Sequence, residues 1–188
     1  LVQKEDGKAS IVDKIRHAAP LVGGKGIIEE SLLNEVANLV EMPTAVMGGF
    51  DQEYLSLPRD VLISVMKKHQ RYFPVQKVKM QSSASLLPHF IAVRNGDGQY
   101  VDIVREGNEH VLGARFADAN FFVREDVKQS HESYRPKLSG LTFHTKLGSM
   151  LDKSERISNL VNDLIPMLKL ENDEAVFARR AAHLAKAD

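Results

Sequence analysis

No cysteine occurs among the 188 residues, which excludes a disulfide scaffold, a thiolate zinc site and a cysteine nucleophile, and fits a reducing compartment. No apolar run reaches the roughly 18 to 20 residues of a membrane span. The opening Leu1-Val2-Gln3-Lys4-Glu5-Asp6 lacks the pattern of a signal peptide, so neither a secreted nor a membrane protein is expected. Net charge is absent too: 25 Lys and Arg balance 25 Asp and Glu, and any strong field must come from local clustering. Gly23-Gly24-Lys25-Gly26 invites a phosphate-loop reading, but the order Gly-x-x-x-x-Gly-Lys-Ser/Thr is missing, which leaves a turn or a flexible link. Seven histidines, His17, His69, His89, His110, His131, His144 and His183, are scattered without His-Glu-x-x-His or another tight ligand spacing, so no metal site is expected. No Ser or Thr stands in an evident pairing with a His, and no catalytic residue is assigned.

What is present describes a soluble globular chain, 43% hydrophobic and 27% charged, long enough for one core or for a main domain and the start of a second. Ser10 to Ala19 has Ile11, Val12 and Ile15 among charges and reads as a short amphipathic helix stopped near Pro20. Ile28 to Val40 reads as a helix closed by Pro43, and Ala45 to Phe50 as a strand ending in a glycine turn. Pro58 suits a first helical turn, and Val61, Leu62, Val65 and Met66 make one apolar face. Tyr72 to Val78 and Leu87 to Arg94, separated by the polar stretch from Gln81 to Ser85, suggest a hairpin. Val101 to Phe122 has helical spacing, with Gly107 and Gly113 expected to divide it into two helices. A solvent-facing helix is expected from Arg124 to about Lys137. From Leu147 onward the pattern is helical, interrupted at Pro166 and resuming from Glu171 to Asp188. The start without Met and the absence of a stop signal after Glu171 suggest an internal fragment.

The charge clustering is concentrated in one place. Arg59 to Lys79 holds six Lys or Arg and one acid, and Lys67, Lys68 and His69 fall where a helix dipole favours positive charge. Acids dominate Lys25 to Gln52, through Glu29, Glu30, Glu35, Glu41 and Asp51, so acidic and basic faces are expected on opposite sides of one domain. Tyr72 and Phe73 are strand neighbours and must point to opposite faces, with one expected in the core and the other nearer the basic surface.

The run Met66-Lys67-Lys68-His69-Gln70-Arg71-Tyr72-Phe73-Pro74-Val75, followed by Leu87-Pro88-His89-Phe90-Ile91-Ala92-Val93-Arg94-Asn95-Gly96, is similar to the β subunit of the bacterial-type, two-subunit glycyl-tRNA synthetase. Gly107-Asn108-Glu109-His110-Val111-Leu112-Gly113-Ala114-Arg115, then Ala117-Asp118-Ala119-Asn120-Phe121-Phe122, and Lys146-Leu147-Gly148-Ser149-Met150-Leu151-Asp152-Lys153-Ser154-Glu155-Arg156-Ile157 agree in order and spacing. Val36 to Pro43 also fits, with Met42 where the family often carries Trp.

The resemblance implies an α+β fold, an antiparallel sheet with packed helices over residues 1–145, which resembles the editing-type domain of the phenylalanyl-tRNA synthetase β subunit. Residues 146–188 would be the first helices of an all-α HD-like domain. No His-Asp dipeptide is present, which removes the hydrolytic signature of that domain type. The resemblance further implies tRNA(Gly) and a synthetase α subunit as partners, with no membrane and no DNA. ATP, Mg and adenylate formation belong to the α subunit, so the chain itself is expected to be non-catalytic and without a cofactor. The location implied is bacterial cytoplasm, or an organelle stroma or matrix. Lys67, Lys68, His69, Arg71, Tyr72, Lys77 and Lys79 are the candidate tRNA-binding residues. Gln70, Asn95, Asn108, Glu109, Arg115 and Asp118 are candidates for a vestigial editing pocket. A scaffold without RNA contact is the alternative.

Overall fold

A computed structural model describes residues 4–78 and 85–187. The chain forms two compact units, Leu1–Val123 and Arg124–Asp188.

The first unit is built on a four-stranded antiparallel sheet in the order β1-β3-β4-β2, with β1 Gly24–Gly26, β2 Pro43–Gly49, β3 Phe73–Lys77 and β4 Leu86–Asn95. Helices α1 (Lys4–Ala18) and α2 (Glu30–Ala37) cover one face, and α3 (Arg59–Gln70) and α4 (Val101–Asp126) cover the other. Strand alternation divides the core accordingly. Phe73, Val75 and Ile91 join Ile11, Ile15, Leu32, Leu33 and Val36, while Tyr72, Phe90 and Ala92 join Leu62, Met66, Leu112 and Phe116. The sheet is therefore buried on both sides.

The sheet extends the sequence expectation in one respect. The glycine stretch expected to be a flexible link is β1, paired antiparallel with β3 so that Lys25 lies opposite Gln76. Close approach requires glycine at both flanking positions. A Cβ at Gly24 would lie 2.5 Å from Val75 Cγ1, and one at Gly26 2.4 Å from Ile15 Cγ2.

The expected division at Gly107 and Gly113 does not occur, and α4 runs unbroken through both. Each glycine costs about 1 kcal/mol relative to Ala in a helix interior, whereas Leu112 and Phe116 are fully buried and each is worth about 1.5 to 3 kcal/mol of burial. Residues 79–84, with the candidate Lys79 among them, lie outside the described residues.

In the second unit the single helix expected from Arg124 to Lys137 is instead the tail of α4, a turn, the short α5 (His131–Tyr134) and a 3-10 segment, Arg135–Gly140. Pro136 near the start of that segment lacks the N–H that a continuing helix needs. A small hairpin, β5 Thr142–His144 and β6 Gly148–Ser149, leads into α6 (Met150–Met167) and α7 (Asn172–Leu184). Ser149 caps α6: its hydroxyl accepts from the Asp152 amide, while the Asp152 carboxylate accepts from the Ser149 amide at 2.6 Å. Pro166 sits in the last turn of α6.

Candidate nucleic-acid interface

The basic end of α3 forms as the sequence suggests, with Lys67, Lys68 and His69 in its last turn. Arg71 follows in the left-handed conformation at φ 57°, and its amide donates to the Lys67 carbonyl at 3.1 Å. Glycine or asparagine ordinarily fills such a cap, because a Cβ costs roughly 1 to 2 kcal/mol there.

The charges, however, are partnered. Lys67 pairs with Glu29, and Arg71 Nε reaches Glu35 Oε1 at 2.5 Å. The expectation that acidic and basic faces lie on opposite sides of the domain is thus corrected: α2 and α3 bring them together. Pairs this exposed contribute only about 0.2 to 1 kcal/mol each, but they neutralise local field. Lys68 and His69 are exposed and make no ion pair among the described residues. Lys77 is exposed at the end of β3.

Tyr72 and Phe73 do point to opposite faces, but both are buried, at 7% and 0% exposure. The placement of one ring near the surface is corrected, because both faces of the sheet carry helices. The Tyr72 ring stacks on Phe90 with centroids 4.6 Å apart, which leaves it no face for a base. Burial pushes its phenol pKa above the ordinary 10.0.

Cations not included among the candidates lie at the β1 edge. Arg16, Lys25 and Gln76 line one cavity of about 390 Å³ together with Ile15, Ala19 and Pro20. Arg59 Nη2 donates to Gln76 Oε1 at 3.1 Å. The signal available in the sequence was only the charge itself, a lysine set between two glycines.

The six residues considered for an editing pocket are not gathered in one place. The Asn95 side-chain oxygen Oδ1 accepts from the amides of Glu41 and Met42, at 3.1 and 2.9 Å. Glu109 Oε1 accepts from the Gly49 amide at 2.7 Å. Asn95 lies opposite Pro43 and Gly49 opposite His89, so these two groups mark opposite ends of the β2–β4 ladder, about 20 Å of strand apart. Each satisfies backbone amides that would otherwise go unpaired. Asn108 is half-buried midway along α4 and caps no helix end, and Gln70 is the last residue of α3. Arg115 and Asp118 are exposed and 3.9 Å apart on α4. In the second unit, Glu132 lies between Arg180 and His183, with His183 Nε2 at 3.1 Å. Among the described residues no three His, Asp or Glu are placed to hold a metal ion, and no helix is long and apolar enough to cross a membrane.

A family model described as glycyl-tRNA synthetase beta subunit matches residues 1–188. The chain is 45% identical over its whole length to the glycine–tRNA ligase beta subunit of Trichodesmium erythraeum, of which it covers 26%. It is 51% identical over 167 residues to that of Clostridioides difficile, covering 89% of this chain and 23% of the relative. It is 42% identical over 187 residues to the chloroplastic/mitochondrial glycine–tRNA ligase 2 of Arabidopsis thaliana, covering 17% of that protein. The chain thus spans about a quarter of the length of the bacterial relatives.

Proposed function

Because the chain belongs to the glycyl-tRNA synthetase β-subunit family, we propose that it supports tRNA(Gly) binding and subunit assembly in the ATP-dependent attachment of glycine to tRNA. The match over all 188 residues is the observation that carries this reading. Adenylate formation needs groups that hold phosphates and stabilise developing charge, and these, with ATP, Mg and glycine, are assigned to the α subunit. The chain itself acts without catalysis, in bacterial cytoplasm or in an organelle.

At the C-terminal end of α3 and on β3, exposed Lys68 and Lys77 are available to phosphate, with exposed His69 beside Lys68. Lys67 and Arg71 would first have to leave Glu29 and Glu35. That pairing favours a second reading for the α3 end alone, a scaffold joining α2 to α3.

The test combines two assays on the full β subunit. The subunit alone should show no glycine-dependent ATP–pyrophosphate exchange, and should bind tRNA with an affinity that falls steeply with salt, since each neutralised phosphate releases counterions. Exchange without the α subunit, or tRNA affinity indifferent to salt, would defeat the proposal.

A further inference from the structure

Exposed cations that make no ion pair among the described residues also lie away from the end of α3, around β1. Positions 24 and 26 face Val75, Leu87, Ile15 and Ile91, so alternation sends the Lys25 side chain to the opposite side of the strand. Gln76, directly across the ladder, shares that side, and its amide is held by Arg59 from the first turn of α3. Arg16 approaches the same cavity from α1. Lys77, opposite Gly24, lines an adjoining cavity of about 380 Å³ with Arg59, Leu57, Leu62 and Leu86. Four exposed cations from four different elements therefore lie along the β1–β3 edge of the sheet, Lys25 and Arg59 on the side of Gln76.

Carboxylates are scarce there. Among the described residues Arg16, Lys25 and Lys77 make no ion pair, and Arg59 has only the exposed Asp60 carboxylate at 4.0 Å. This contrasts with α3, where Glu29 and Glu35 already occupy the positions a phosphate would take. Long exposed cations with few carboxylates suit a polyanion whose charges are spread along a backbone, and helical RNA is recognised mainly through its backbone and shape.

We infer that Arg16, Lys25 and Arg59, together with Lys77, form the main phosphate track of this chain for structured RNA; this rests on the tRNA-binding reading above. The two glycines of β1 let the strand lie close under α1 and leave Lys25 as its one projecting side chain. Contacts of this kind position the RNA and do not read its sequence.

The experiment uses the full β subunit with Arg16→Gln, Lys25→Gln and Arg59→Gln combined, and measures binding of tRNA across a salt series. Each lost phosphate contact lowers the slope of log affinity against log salt by about 0.7 to 0.9, so the slope should fall by about 2 and affinity near 0.15 M salt by at least about tenfold. A parent that binds tRNA in a salt-dependent way, with a triple variant that matches it, overturns the track and leaves the tRNA-binding reading intact. A parent that binds no tRNA overturns both. In the unaltered subunit, where folding of a variant is not at issue, tRNA should protect Lys25 and Lys77 from acetylation. Protection by the α subunit with none by tRNA would make this edge a protein interface and overturn the inference.

Discussion

Replacing Gly26 with Ala tests how closely α1 lies against β1. The added methyl would stand 2.4 Å from Ile15 Cγ2, where carbon atoms ordinarily approach to about 3.5 to 4.0 Å. Ile15 is fully buried and, being β-branched on a helix, has essentially one χ1 rotamer. It cannot swing away, so α1 or the strand must shift. Overpacking of this kind costs about 1 to 3 kcal/mol, and the stiffer unfolded chain offsets about 0.4 to 1 kcal/mol of it. The net expectation is a loss of about 1 to 2 kcal/mol. Ile15→Leu deletes the obstructing Cγ2 methyl at nearly constant volume and costs less than about 1.5 kcal/mol alone. In the double variant the clash is gone, so the two changes should couple favourably by about 1 kcal/mol. A urea titration that follows amide exchange in the Phe73–Lys77 peptide reads the stability of this unit. Gly26→Ala at parental stability, or strict additivity of the two changes, would refute the packing argument.

Two further outcomes follow from burial and capping. Among the four tyrosines, Tyr72 should ionise above the ordinary value of 10.0 because burial disfavours its phenolate. A folded-state pKa raised in this way leaves its contribution intact below about pH 10 and removes it as pH rises from there through the folded-state value. Tyr72→Phe should therefore move the alkaline unfolding midpoint upward, and an unchanged midpoint would count against it. Ser149→Ala should cost α6 about 1 kcal/mol through loss of its N-cap, seen as faster amide exchange in the first turn. Hydrogen bonds from the Ser149 amide and hydroxyl hold the Asp152 carboxyl below its ordinary 3.8. That contribution is present above pH 3.8 and is lost as pH falls through the lowered value, so protection of the parent, taken relative to the intrinsic exchange rate at each pH, should fall in acid toward that of the variant.

Local pattern revealed those parts of the fold that local energetics decide. The apolar face of α3, the β3–β4 hairpin and the opposite orientations of Tyr72 and Phe73 were all legible from spacing. What escaped depends on residues far apart in sequence. Gly24–Gly26 carries no apolar alternation, so nothing local marks it as a strand, and its stability comes from pairing with β3. Glu29 and Lys67 are separated by α2, β2 and most of α3, which hides their pairing from any window of sequence. The candidate site was legible in the same measure: Lys67, Lys68 and His69 stand at the expected helix end, whereas the convergence of Arg16, Lys25 and Arg59 on Gln76 requires the sheet order. Asn95 and Glu109 were conspicuous as polar residues, but their hydrogen bonds to backbone amides are set by tertiary contact.

The position of β1 at the end of the sheet also has a consequence in time. The β3–β4 pairing closes a short loop, whereas β1 reaches β3 only after α2, β2 and α3 have been traversed, and the entropy of closing that longer loop delays its arrival. Interactions that form after the folding barrier govern how fast a protein unfolds and leave its folding rate almost untouched. An anion held between Lys25 of β1 and Arg59 beside Gln76 would therefore act as a latch, lengthening the lifetime of the folded state without hastening its formation.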